Sequence, residues 1–294
     1  MEQQLYRYSP ITERPPLAWP EGKQLAFYVG LNVEHYLIDR PSTSTSAATV
    51  MLTPDPMNYG WRDYGVRVGI WRMIELLDEL SVPASVLVNS DVCRFYPQIV
   101  EAVRARGWAW VAHGQNNSTL QAGMDEAAER AYLAEMVGTI EHATGSRPQG
   151  WLGPALTETF DTPRLLRELG LRYLLDWCND DQPYPLNVAG MISVPYSVEL
   201  NDISLFVTHA YSGSRYVRTV IDHLDQLLAE STSAGRVMAL PVHPFVISQP
   251  ARHRYLREVL EEVRARPEVW ITTSDAIAEH YMASEHHRIL AGST

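Results

Sequence analysis

The chain has 294 residues, 46% of them hydrophobic, which is enough to build one large α/β core or two small ones. A formal charge of -11, from 35 acidic and 24 basic side chains, gives no long-range attraction for phosphate backbones or anionic lipid and excludes nucleic acid and membrane surfaces as expected partners. Two cysteines, Cys93 and Cys178, cannot form a disulfide framework or a thiolate zinc site, so both read as core thiols.

Residues 1–20 are Pro-rich and polar, without a signal-peptide pattern or a clear period. They read as an arm lying on the body or on a neighbouring subunit. With no apolar run near the length of a membrane span, a cytoplasmic protein is the expectation. The remainder, 21–294, shows no composition shift or internal repeat and reads as one domain.

Gln24 to Val33 reads as a buried strand, with Asn32, Glu34 and His35 at its C-terminal end. Residues 38–64, rich in Ser, Thr and Pro, read as a long rim or lid loop. Helical spacing follows over Val66 to Leu80, stopped before Pro83. Strands are then expected at 84–88, 108–112, 149–152, 172–175, 191–194, 203–207, 237–242 and 269–272. The intervening helices are expected at 96–106, 125–144, 161–169, 217–230, 254–266 and 274–281. Strands and helices alternating at this length imply parallel strands with right-handed crossovers. With no Gly-x-Gly-x-x-Gly after the first strand, the expectation is a distorted (β/α) barrel of about seven parallel strands.

Active sites of such barrels lie at the C-terminal strand ends. Polar residues collect there: Asn32, Glu34 and His35; His113 to Asn117; Trp151 to Pro154; Asp176 to Asp181; and His243 in Leu-Pro-Val-His-Pro-Phe. Singly, each carboxylate is more often a surface group, each histidine a structural one and each tryptophan core packing. Their shared placement at strand ends favours a common cleft.

These residues resemble the motifs of the polysaccharide deacetylase (NodB-homology) superfamily over most of the chain. Leu31-Asn32-Val33-Glu34 stands where that family has its Asp-Asp pair, one the base and one a metal ligand. His113-Gly-Gln-Asn-Asn117 stands for its His-x-x-x-His, Arg147-Pro148-Gln149-Gly150-Trp151 for its Arg-x-Pro motif, and His243 for its late histidine. The base Asp becomes Asn32 and the second metal histidine becomes Asn117. Glu34 and His113 leave only two strong zinc ligands, whereas a catalytic zinc takes three. The pattern resembles the small-substrate branch, the metal-independent allantoinases and cyclic imide hydrolases. Further segments support it: Tyr64 to Trp71 with Arg67, Asp176 to Tyr184, and His243 to Gln249.

The resemblance implies hydrolysis of a carbon–nitrogen bond in a small cyclic amide, imide or ureide, with no cofactor. Glu34 would be the base, its pKa raised by burial, and His113 or His243 the acid or carbonyl polariser. Asn32 and Asn117 would read the ring's C=O and N–H groups, and Trp151, Trp177 and Tyr184 would wall it. Arg67 would orient the substrate or pair with Asp180 or Asp181. A homo-oligomer, dimer or tetramer, is expected by the same resemblance. Two alternatives stand beside this: a zinc-dependent glycan deacetylase using Glu34, His113 and Asn117, completed by His35 or Asp63, and a degenerate fold kept as a binding protein.

Overall fold

The structure is a computed structural model describing residues 3–292. Strand β1 (Leu25–Val33) is buried along all nine residues. Leu25, Phe27, Val29, Leu31 and Val33 face the surrounding helices, while Ala26 and Tyr28 face the interior of the curled sheet. That period of two carries Asn32 and then Glu34 inward, at the end where the strand stops.

One edge of β1 is shared between β2 (Ala84–Val88), along residues 29–33, and β9 (Val269–Thr272), along residues 25–28. Its other edge takes β8 (Arg236–Val242). From β2 the parallel path continues through β3 (Ala109–Ala112), β4 (Gly150–Trp151), β5 (Tyr173–Leu174) and β7 (Ile192–Ser193), and β6 (Tyr184–Pro185) closes it antiparallel. This is the distorted (β/α) barrel of NodB type. β6 and β8 end the sheet path without bonding each other, which leaves a seam.

The N-terminal segment crosses that seam. Tyr6 bridges to Leu186, Leu5 O accepts from Asn187 N, and farther on Leu17 O accepts from Gly235 N and the Trp19 indole N–H donates to Arg236 O. Between them Arg14 makes two hydrogen bonds to Asp180, at 2.8 and 2.6 Å. The arm therefore lies on the body of its own chain.

Helices pack outside the sheet. α1 (Pro56–Tyr64) runs into a π-helical turn, Gly65–Gly69, and on into α2 (Ile70–Glu79). The helix thus begins ten residues before the expected Val66. Asp55 is the cap, accepting from Asn58 N, and Pro56 sits in the first turn; these start signals were hidden in a Pro-rich stretch. Then come α3 (Ser90–Phe95), α4 (Pro97–Arg104), α5 (Glu126–Thr144), α6 (Thr162–Glu168), α7 (Gly213–Glu230), α8 (His253–Arg264), α9 (Ser274–Ala283) and α10 (Glu285–Gly292). In α8, Leu256, Val259, Leu260 and Val263 form the buried stripe expected of a helix on a sheet.

Residues 203–207 are not a strand. Ile203–Thr208 is a π-helical turn whose first N–H is bonded to Asn201 Oδ1. A short apolar run fits a strand or a buried helical turn equally, and only the neighbouring packing separates them.

No helix of the described residues is long and apolar enough to cross a membrane. Both cysteines are free, and burial raises the Cys93 thiol to about 12 and the Cys178 thiol to about 11, so neither is a ready nucleophile.

Candidate active site

Glu34 is the centre of the site, 6% exposed at the end of β1. Tyr36 donates its hydroxyl to Oε2 at 2.5 Å, and Asn117 donates its amide N–H to Oε1. His113 Nε2 lies 3.2 Å from the same Oε1, and His243 Nε2 lies 3.5 Å from it. Three strand ends, β1, β3 and β8, thus bring Glu34, His113 and His243 together.

Each ring is fixed from its far side. His113 Nδ1 is 2.8 Å from the carbonyl of Leu152, which can only accept, so Nδ1 carries the hydrogen and Nε2 is turned to Glu34. His243 Nδ1 is 2.6 Å from Asp202 Oδ1, and Asp202 Oδ2 also accepts the His243 backbone N–H at 2.9 Å. Asp202, fully buried, was not legible in the sequence, because it lies in a connection far from any strand-end motif.

Burial opposes the charge on His243, but the Glu34 and Asp202 carboxylates outweigh it and push the imidazole up to about 10. Burial likewise tends to raise Glu34, yet His243 first and His113 next hold it well below the usual carboxylate range. The expectation of a raised Glu34 is therefore wrong: desolvation acts in the expected direction, and two adjoining imidazoles overcome it.

Asn117 is oriented by Asn89, whose Nδ2 donates to Asn117 Oδ1 at 2.9 Å and to His113 O, while Asn89 Oδ1 accepts from His35 N at 2.7 Å. Asn117 therefore aims a donor at Glu34 and turns its oxygen away. This donor set does not suit a metal. Both Glu34 oxygens already accept hydrogen bonds, Asn117 offers an N–H where a ligand is needed, and His35 turns Nδ1 to Tyr96 OH at 3.1 Å. Asp63 turns instead to Arg67, 3.8 Å away. No group of three His, Cys, Asp or Glu side chains among the described residues is arranged to hold an ion.

The other expected site residues lie elsewhere. Asn32 is 1% exposed and donates to Tyr196 OH and to the carbonyls of Gly30 and Val242, so it braces the strand end beneath Glu34. Trp151 has no exposed surface and packs in the core. Arg67 has a side chain 74% exposed beside Asp63, and Asp180 is taken by Arg14, so the expected Arg67 pairing with Asp180 or Asp181 does not occur.

Trp177 and Tyr184 stack edge-on against Tyr6 of the arm. Tyr184 and Asp181 line a cavity of about 1470 Å3 at the seam, walled by the arm, Tyr196, Val237 and α10. This is the larger space, but it holds none of the Glu34, His113 and His243 side chains. Beside Glu34 there is only a crevice of about 10 Å3, lined by Glu34, His35, Tyr36, Tyr59, Arg62, Asp63, Val66 and Tyr96. α1 covers the crevice with Tyr59, Arg62 and Asp63, and the segment before it is tied down through Ser42, which donates to Asn117 O, and through Thr43 O, which accepts from Arg62.

A family model described as polysaccharide deacetylase matches residues 43–174. Over that segment, a little under half of the chain, the sequence is similar to the polysaccharide deacetylase family. A Schizosaccharomyces pombe protein named as a polysaccharide deacetylase is 26% identical over 247 residues, 77% of this chain and 76% of its own. Among solved structures, PuuE allantoinase superposes with a TM-score of 0.82 at 26% identity, covering 93% of this chain and 95% of that one. A Pseudomonas aeruginosa PAO1 protein described as a polysaccharide deacetylase gives 0.82 at 26% identity over 92% and 95%. These likenesses indicate a carbon–nitrogen hydrolase resembling the deacetylases and the allantoinase.

Proposed function

We propose that the protein opens a small, neutral cyclic amide, imide or ureide by hydrolysis, without a required metal. The observation that carries this reading is the orientation of Asn117. Where the resemblance places a metal-binding histidine, this chain aims an amide N–H at Glu34. The crevice beside Glu34 is the size of one water, the attacking nucleophile, and the likeness to PuuE allantoinase points to a small ring as substrate.

In this reading Glu34 orients a water and takes its proton as the oxygen attacks the ring carbonyl carbon, and the π electrons move to the carbonyl oxygen. On collapse the C–N bond breaks and the leaving nitrogen takes the proton from His243 Nε2. Glu34 is a weak base while His243 is charged. Once His243 gives up its proton, the charge that depressed Glu34 is gone, so the two transfers support each other. The proton on Glu34 then returns to His243, 3.5 Å away, and resets the site. Asp202 keeps the tautomer correct throughout.

The test is turnover of succinimide, hydantoin, dihydrouracil, allantoin and an N-acetylglucosamine oligomer by chelator-treated protein. Ring opening that survives chelation is the expected result. Activity confined to the oligomer and restored by zinc would overturn the reading in favour of the deacetylation for which the S. pombe and P. aeruginosa relatives are named.

A further inference from the structure

Arg62 stands on α1 at the crevice, across from Glu34, and only 4% of it is exposed. Its guanidinium carbon lies 4.8 Å from the ring centroid of Tyr36, the residue that donates to Glu34. Nη1 donates to Thr43 O at 2.6 Å, while Nε is buried with no acceptor. The nearby carboxylates are engaged elsewhere: Asp63 with Arg67, and Asp55 with Asn58.

A buried guanidinium outside any ion pair is costly to desolvate, and its planar fork suits a planar oxygen acceptor. Charge decides which acceptor. Around the crevice stand the carboxylates of Glu34 and Asp63, with Asp202 behind His243 and Asp55 near Arg62, and they face the His243 imidazole and Arg62. A carboxylate ligand would add one more negative charge to this acidic surround, whereas a neutral carbonyl accepts from Arg62 and adds none.

We propose that Arg62 forms a carbonyl-recognition subsite in the roof, donating from Nε and a terminal nitrogen to a second, non-scissile carbonyl oxygen of a neutral ring held at Glu34. This rests on the ring-opening reading and narrows it to substrates with two ring carbonyls, imides and ureides rather than simple lactams. The stacking on Tyr36 sets the plane of the fork relative to the carboxylate below it.

Two rings of one size separate this from a purely structural role: succinimide, with two carbonyls, and 2-pyrrolidinone, with one. Their dissociation constants are measured by ligand-observed NMR on Glu34→Gln protein, with and without Arg62→Met or Arg62→Lys. The Met variant weakens succinimide about ten- to a hundredfold, the scale of a hydrogen bond to a charged group. It changes 2-pyrrolidinone by less than about threefold, and Lys restores part of the succinimide binding. Equal weakening of both rings, or of neither, overturns the subsite. A wild-type protein that binds succinimide through Arg62 but opens no ring overturns the assigned reaction and leaves the subsite standing.

Discussion

Asp202 grips His243 twice, taking the ring Nδ1–H on Oδ1 at 2.6 Å and the backbone N–H on Oδ2 at 2.9 Å. One carboxylate therefore fixes both the position of the loop after β8 and the tautomer of its imidazole. With Nδ1 committed, only Nε2 faces Glu34, so the proton available for transfer has a single address. Asp202→Asn keeps the shape but removes the charge. It should lower kcat by about two to four orders of magnitude and shift the alkaline limb of the rate profile to lower pH. NMR titration of His243 checks the cause, because its pKa of about 10 must fall in the variant.

The same shifts set a stability profile. His243 is raised in the folded state, so its contribution is complete below its ordinary 6.5 and fades as pH climbs through about 10. Glu34 is lowered, so its contribution is complete above its ordinary 4.5 and is lost as pH falls toward the depressed folded value. Urea denaturation should show stability falling between pH 6.5 and 10 in the wild type, with a flatter fall in Asp202→Asn. An unchanged slope in the variant would remove His243 as the responsible group.

Glu34→Gln should lose about two to four orders of magnitude in kcat, because the amide cannot accept the water proton. Its melting temperature should not fall below that of the wild type by more than a few degrees, since Tyr36 can still donate to the amide oxygen. Thermal melts run beside the kinetics separate lost chemistry from lost fold.

Asn117→Asp should reduce activity through electrostatics. The substitution replaces a donor to Glu34 with a second buried carboxylate, and like charges in contact cannot both ionise cheaply. The acid limb of the rate profile moves to higher pH. Asn117→Ala, which removes the donor without adding charge, should move it less.

Gly69 lies where the helix crosses the residue after His243. A Cβ there would sit 2.2 Å from Pro244 O, so Gly69→Ala must displace one backbone or the other. The expected cost is about 1–3 kcal/mol of stability. A fall in kcat accompanies it, because Pro244 adjoins His243. Gly60, with open space around the same point, is the control: Gly60→Ala should be tolerated.

Arg14→Ala should free the arm from the seam. Asp180, 13% exposed with Arg14 in place, would lose its bidentate partner, at a cost of up to about 3 kcal/mol, less as water reaches it. Limited proteolysis should then cut within residues 5–20. Arg14→Ala with Asp180→Asn should recover part of the loss, because no charge is left unpaired.

By itself the sequence determined the scaffold and the centre of the site. The period-two pattern of β1 and the apolar runs at β2, β3 and β8 fixed which side chains point inward, and that parity placed Glu34, His113 and His243 at strand ends of one barrel. It could not reveal Asp202, whose contact with His243 spans 41 residues and depends on a π-helical turn that reads locally as a strand. Nor could it assign Trp151 to the core, or Tyr184 and Asp181 to the seam, because strand-end position says how deep a residue lies but not which side of the curled sheet it faces. The sign of the Glu34 shift was likewise decided only in three dimensions. Burial, legible from a strand pattern, raises a carboxyl; two imidazoles within 3.5 Å lower it, and only the tertiary structure brings them there.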